Sequence, residues 1–392
     1  MNTIKRKSLN YGNITMSKLL KILKWLFLIG FVAAVVLLGR RWVQNPIGTY
    51  PYPYTLNFTP KLPYAEIDQA HVLIVGDRLA KKLPERLGPI LKELSANLRE
   101  PLKMVDLSED GEGLFRTIHK LRSIKKLPPV VIYHGGADEF YEQRVDPKNR
   151  RLLLTNIQRY ENPKVNSLLH AFPIAGRLLY APLEYFEMKP QIAKDERYVE
   201  TFEKQVMIEL VFKLYQIEIS EFIKFIKEQT SRFIVITPPI NLELPPTETC
   251  SNSDSPTLSE ELKKTEEMIN SGDFKDAYQR IGELQSMSIA NAKSYYLLGM
   301  AMKGIGRISD ARGILYRATA FDCVQDRPTL IGYKILLENI ERESIPIVEF
   351  NRIVNNSFGS NVLFFDHWTP QGVYYDELMQ ELKGELKKAL NL

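Results

Sequence analysis

Cysteine is scarce in this chain. Its 392 residues hold two, Cys250 and Cys323. That number is too small for a disulfide-built scaffold, and no C-x-x-C pair suggests zinc. No metal ligand set and no cofactor motif is read from the sequence. A basic excess is also missing from most of the chain, despite a net charge of +5. Residues 1–41 hold eight basic residues (Lys5, Arg6, Lys7, Lys18, Lys21, Lys24, Arg40, Arg41) and no acid, leaving 44 basic against 47 acidic residues beyond them. The electrostatic footprint of nucleic-acid binding is therefore absent. With 44% hydrophobic and 25% charged residues, the remainder has the composition of a globular protein.

The N-terminal charge flanks an uncharged apolar run, Trp25 to Gly39 (WLFLIGFVAAVVLLG), which extends back to Leu19 with Lys21 and Lys24 able to snorkel. Six positive charges precede the run and two follow it, which predicts a cytoplasmic N-terminus. No small-x-small cleavage site and no lipid-accepting cysteine follows. The expected organisation is a cytoplasmic segment over 1–18 and an uncleaved signal anchor over 19–39, with a cleaved signal peptide as the alternative. Both export the rest of the chain, and in a bacterium they place it in the periplasm. Residues 40–66, rich in Pro and Tyr, read as a stiff extended linker.

From residue 67 strands alternate with helices. Apolar runs at His71–Val75, Lys103–Leu107, Pro129–Tyr133, Phe233–Thr237 and Ile345–Phe350 read as strands. Segments 112–125, 206–229 and 370–389 read as helices, while 141–205 has no clear assignment. The alternation predicts a parallel sheet covered on both faces, built from 67–249 and 324–392. Between them, 250–323 reads as four helices. Gly272 and Gly306, and likewise Ala277 and Ala311, lie 34 residues apart at matching places, the period of the tetratricopeptide repeat. A generic pair of helical hairpins is the other reading. Cys250 and Cys323 bracket this insert. A bridge between them would staple its base, and two unpaired buried thiols are the alternative.

Three stretches carry a resemblance: Gly76-Asp77-Arg78-Leu79 after the first strand, Gly136-Ala137-Asp138-Glu139-Phe140-Tyr141-Glu142 after the third, and His367-Trp368-Thr369-Pro370-Gln371-Gly372 before the last helix. In this order they resemble the SGNH/GDSL hydrolases, and more narrowly a bacterial branch with a tetratricopeptide insert. The resemblance implies a flavodoxin-like three-layer α/β domain. It also implies a pocket at Gly76, Asp77, Arg78, Gly111, Gly136, Asp138, Asp366 and His367. In that family a Ser after Gly-Asp attacks an ester, a Gly amide and an Asn hold the oxyanion, and an Asp-oriented His is the base.

Here the chemistry-bearing positions differ. Arg78 stands at the nucleophile, and a guanidinium is permanently protonated. No Ser, Thr or Cys lies within the next several residues. Asp138 stands where the Asn belongs, and a carboxylate repels an oxyanion. Phe364 stands three residues before His367. If Asp366 is aligned as the orienter instead, Thr369 falls on the base position. No catalytic residue is assigned. Arg78 and Asp138 are expected to pair across the former pocket, the alternative being an Arg78 that points into solvent. The functional expectation is a non-catalytic, membrane-anchored protein binding an envelope polysaccharide or acyl ligand at its pocket, or an envelope protein through its helical insert. The alternative is an esterase or O-acetyltransferase on an envelope polysaccharide or lipid with a non-standard site, for which 141–205 would supply a lid. Two packed core helices are the plainer reading of that stretch.

Overall fold

The structure is a computed structural model describing residues 16–57, 59–142, 144–188, 201–247, 256–284, 291–323 and 327–392, with the side chains of 16–18, 147 and 201–205 excepted. Two compact units are present. One comprises Met1–Pro53 with Arg151–Tyr185, the other Tyr54–Arg150 with Phe186–Leu392.

The larger unit is built on five parallel strands: β1 Val72–Gly76, β2 Met104–Asp106, β3 Val130–His134, β4 Arg232–Ile236 and β5 Ile347–Val348. Their spatial order is β2-β1-β3-β4-β5, that of a flavodoxin-like doubly wound sheet. All five expected strands are found, four within one residue at each end and β5 two residues shorter at each end. β1 and β3 are buried along their whole length, which is why they read as unbroken apolar runs rather than alternating ones.

Strand alternation divides the core into two layers. Val72, Ile74, Val130, Ile132, Ile234 and Ile236 meet one face, covered by the helices Leu83–Leu94 and Gly372–Leu390. Leu73, Val75, Val131, Tyr133, Phe233 and Val235 meet the other, covered by Leu114–Ser123 and Thr201–Glu228. A second, two-stranded parallel pairing joins Tyr54–Leu56 to Phe186–Met188. Its first strand comes from the Pro- and Tyr-rich stretch read as a linker. Tyr54 and Leu56 are buried, because the tyrosine hydroxyl has a buried acceptor in Glu218 at 2.7 Å.

The helices Pro256–Ser271, Phe274–Leu284, Ala292–Gly304 and Ile308–Ala320 occupy the described part of 250–323. Gly272 (φ +88°) and Gly306 (φ +83°) make the two matching turns. Ala277 and Ala311 are fully buried, and a Cβ on Gly299 would come within 2.5 Å of Leu315. These helices join the same core layer as Leu83–Leu94, through Leu258, Leu262, Leu297, Leu298 and Leu315. Cys323 is fully buried, whereas Cys250, the other member of the possible bridge, lies outside the described residues.

In the smaller unit the helix Met16–Gln44 contains one span long and apolar enough to cross a membrane, Leu19–Gln44. The part of 141–205 that lies in this unit, 151–185, forms the helix that begins at Arg150 and ends at Glu161 and the helix Pro163–Ala171, followed by short turns to Leu179.

Candidate functional site

The loops that leave the paired carboxyl ends of β1 and β3 start at the point where the strand order reverses, the place where open α/β sheets form crevices. Gly76 closes β1 with φ +133°, and a Cβ there would sit 2.0 Å from the His134 carbonyl oxygen of β3, so only glycine allows the two strand ends to approach. Asp77 follows, buried. Its Oδ2 accepts from the backbone N–H groups of Gly136 (2.9 Å), Ala137 (2.6 Å) and Asp138 (3.1 Å), and its Oδ1 from Leu79 (2.9 Å). This one carboxylate ties the loop after β1 to the loop after β3. Burial, and then the neighbouring Asp138, push its pKa well above the ordinary value, while the backbone donors pull it back.

Arg78 does not point into solvent. Its Nε donates to Asp138 Oδ2 at 2.9 Å and its Nη2 pairs with Asp138 Oδ1, a two-point contact across the pocket. The Asp138 side chain is fully buried and that of Arg78 is 18% exposed. The guanidinium is clamped between rings, its central carbon 4.9 Å from the Tyr141 ring centroid and 4.6 Å from that of Trp368. Desolvation lowers the Arg78 pKa, but the hydrogen bond and charge of Asp138 outweigh it and the value is raised. The Gly111 amide donates to Asp138 Oδ2 at 2.7 Å. The Asp138 carboxylate thus occupies the Gly111 N–H.

Asp366 and Arg78 line one cleft of about 380 Å³, together with Lys82, Asp110, Trp368 and Tyr375. Asp366 is committed to its own loop. Its Oδ1 accepts from the N–H groups of Trp368 (2.8 Å) and Thr369 (2.6 Å), and its Oδ2 from the Thr369 hydroxyl (2.9 Å). Desolvation raises its pKa, but these bonds hold it below the ordinary value. His367 is exposed, its ring 5.5 Å from that of Trp368. Phe364 is buried in the core layer next to the helix Gly372–Leu390 and offers no polar atom to an imidazole. A second histidine, His134 at the end of β3, is fully buried, and burial brings its pKa down to about 4, so it is neutral. The structure therefore brings Gly76, Asp77, Arg78, Gly111, Gly136 and Asp138 together and leaves His367 at the surface, with no carboxylate hydrogen-bonded to its ring among the described residues.

Sequence reasoning missed two things. Trp368 and Tyr141 clamp Arg78, which no spacing rule announces. Glu139 and Glu142 are structural. Glu139 Oε1 accepts from the Leu114 N–H and Glu142 Oε1 from the Arg116 N–H, both at 2.8 Å, anchoring the first turn of the helix Leu114–Ser123. Their other oxygens converge, with Glu218 Oε2, on a single atom, Arg144 Nη1, at 3.0, 2.6 and 2.7 Å. Ligand atoms of these three glutamates lie within 4.8 Å of one another, a spacing that could hold a cation, and the Arg144 guanidinium stands among them. The signal for this cluster was the i, i+3 pair of glutamates in EFYE, though the third member is remote in sequence.

Next to Gly111, Glu112 is buried against Lys120 at 2.5 Å and accepts from the Thr117 hydroxyl at 2.8 Å. Burial pushes its pKa from 4.5 up to about 7, against the pull of Lys120 and Thr117. A carboxyl raised on folding stabilises the fold below its unfolded value and loses that contribution as pH climbs through the folded one. The stability of the wild type relative to Glu112→Gln is therefore expected to fall by about 3 kcal/mol between about pH 4.5 and 7.5. Urea unfolding midpoints of the two proteins in detergent check this, and a pH-independent difference would contradict it.

No family model matches the chain, and no curated protein matches it. Among solved structures, a GDSL-like lipase from Bacteroides thetaiotaomicron is similar over 84% of this chain and 93% of that one, with 10% identity and a TM-score of 0.36.

Proposed function

We propose that this chain is a membrane-anchored, extracytoplasmic protein of SGNH-hydrolase-like build whose pocket no longer hydrolyses esters and instead binds an envelope glycan or acyl ligand, or seats a protein partner. The observation that carries this reading is the Arg78–Asp138 pair. A nucleophile position filled by a clamped guanidinium cannot be acylated, and the carboxylate opposite has taken the Gly111 N–H. The Asp366 carboxylate bonds its own loop, which leaves His367 without the orientation a general base needs. The helices of 256–320, with their 34-residue turn spacing and buried small residues, support a tetratricopeptide-like insert as the partner-facing element.

Hydrolysis of a chromogenic acetyl ester by the full-length protein in detergent tests the reading. The wild type is expected to match the buffer rate, with His367→Ala indistinguishable from it. Turnover well above background that His367→Ala abolishes would overturn the non-catalytic assignment.

A further inference from the structure

Residues 170–174 are all exposed, and four of them, Ala171-Phe172-Pro173-Ile174, are apolar. Phe172 is 61% and Ile174 54% exposed, with Leu168 one turn earlier at 43%. A run of exposed apolar residues has no place on a surface that meets only water. It is rigidly presented: Asn162 caps the helix Pro163–Ala171 through the Lys164 N–H at 3.0 Å, and the Tyr160 and His170 rings pack 6.2 Å apart.

The position of this run is set by its attachment to the membrane helix. Arg41 Nη2 donates to the Tyr180 carbonyl at 2.7 Å, and Asn45 Nδ2 donates to the same oxygen at 3.2 Å. The Arg177 guanidinium lies 5.9 Å from the Trp42 ring centroid. Gly176 sits so tightly on the chain after the helix that a Cβ would come within 1.8 Å of the Gly48 carbonyl oxygen. Arg41 is three residues beyond Leu38, the last large residue of the apolar run, a rise of about 4.5 Å. The polar layer on each side of a bilayer is roughly 5–8 Å thick, so Arg41 and Trp42 fall within it as interfacial anchors. Groups bonded directly to them share that depth. Charge agrees: residues 163–183 contain Lys164 and Arg177 and no acid, which suits an anionic headgroup surface.

We propose that Leu168, Phe172 and Ile174 insert into the headgroup and upper acyl region, making 163–179 an interfacial element that docks on the lipid surface beside the membrane helix. The inference rests on reading Leu19–Gln44 as a membrane span.

The test uses the full-length protein in vesicles of phosphatidylethanolamine and phosphatidylglycerol that contain a phosphatidylcholine with a diazirine near the glycerol end of its acyl chain. After irradiation, labelled peptides are mapped by mass spectrometry. Labelling is expected both in the membrane helix and in the peptide spanning 168–174. Phe172→Asp combined with Ile174→Asp is expected to reduce the second signal several-fold while leaving the first, and the thermal unfolding midpoint, unchanged. Labelling of the membrane helix with none at 168–174 would overturn the inference alone. An unlabelled membrane helix would overturn the span and the inference together.

Discussion

Arg78→Ala is expected to destabilise the protein by about 3 kcal/mol, and adding Asp138→Asn is expected to recover most of that loss. Removing the guanidinium strips a buried carboxylate of its counter-charge. It also leaves Asp138 facing Asp77, a second buried carboxylate whose pKa Asp138 already pushes upward. The neutral amide at 138 relieves both problems and can still accept from the Gly111 N–H, the 2.7 Å contact of the native protein. Arg78→Ala, Asp138→Asn and the double variant form a cycle in which denaturant unfolding should give a coupling energy of about 2 kcal/mol or more. Additive single effects would show that the two charges are independent and that the pair does not hold the pocket shut. Arg78→Lys should recover only part of the loss, since an ammonium cannot make the two-point contact or stack between Tyr141 and Trp368.

The larger effect is expected at Arg144. Its side chain is 1% exposed and its Nη1 alone meets three carboxylates, of which Glu142 and Glu218 are fully buried. Arg144→Met should cost about 5 kcal/mol, enough to unfold a domain of ordinary stability. Burial already raises the pKa of Glu139 to about 7, with Arg144 opposing it, and raises Glu218 well above its ordinary value. Without Arg144 both rise further. A carboxyl raised in the fold favours the folded state at low pH and loses that contribution as pH climbs. The deficit of Arg144→Met should therefore shrink as pH falls from about 8 to about 5, measured as unfolding midpoints beside the wild type. Because a single nitrogen meets all three partners, Arg144→Lys should be tolerated better than →Met. An Arg144→Met deficit that does not change with pH would contradict this account of the cluster.

Local patterns made much of this legible. The apolar runs at 72–75 and 130–133, set between helical segments, required a buried parallel sheet. The run from Trp25 to Gly39 could only be satisfied by lipid or a large core, and its helix is exposed from Leu19 to Arg40. Gly272 and Gly306 marked turns that need positive φ. The stretch 141–205 stayed unreadable because its described elements between 147 and 188 are short and repeatedly interrupted by proline, at Pro147, Pro163, Pro173 and Pro182, so no sustained period develops.

What the sequence by itself determined was the order of the elements, an N-terminal helix long and apolar enough to cross a membrane, and the placing of Arg78 and Asp138 just after two neighbouring strands. Only the tertiary structure decided what those two charges do. A charged residue's role depends on its partners, and these lie 60 residues apart for Arg78 and Asp138, and 74 for Arg144 and Glu218. Strand order brings the first pair together, and the helix Thr201–Glu228 delivers Glu218 to the second. No local pattern encodes either meeting.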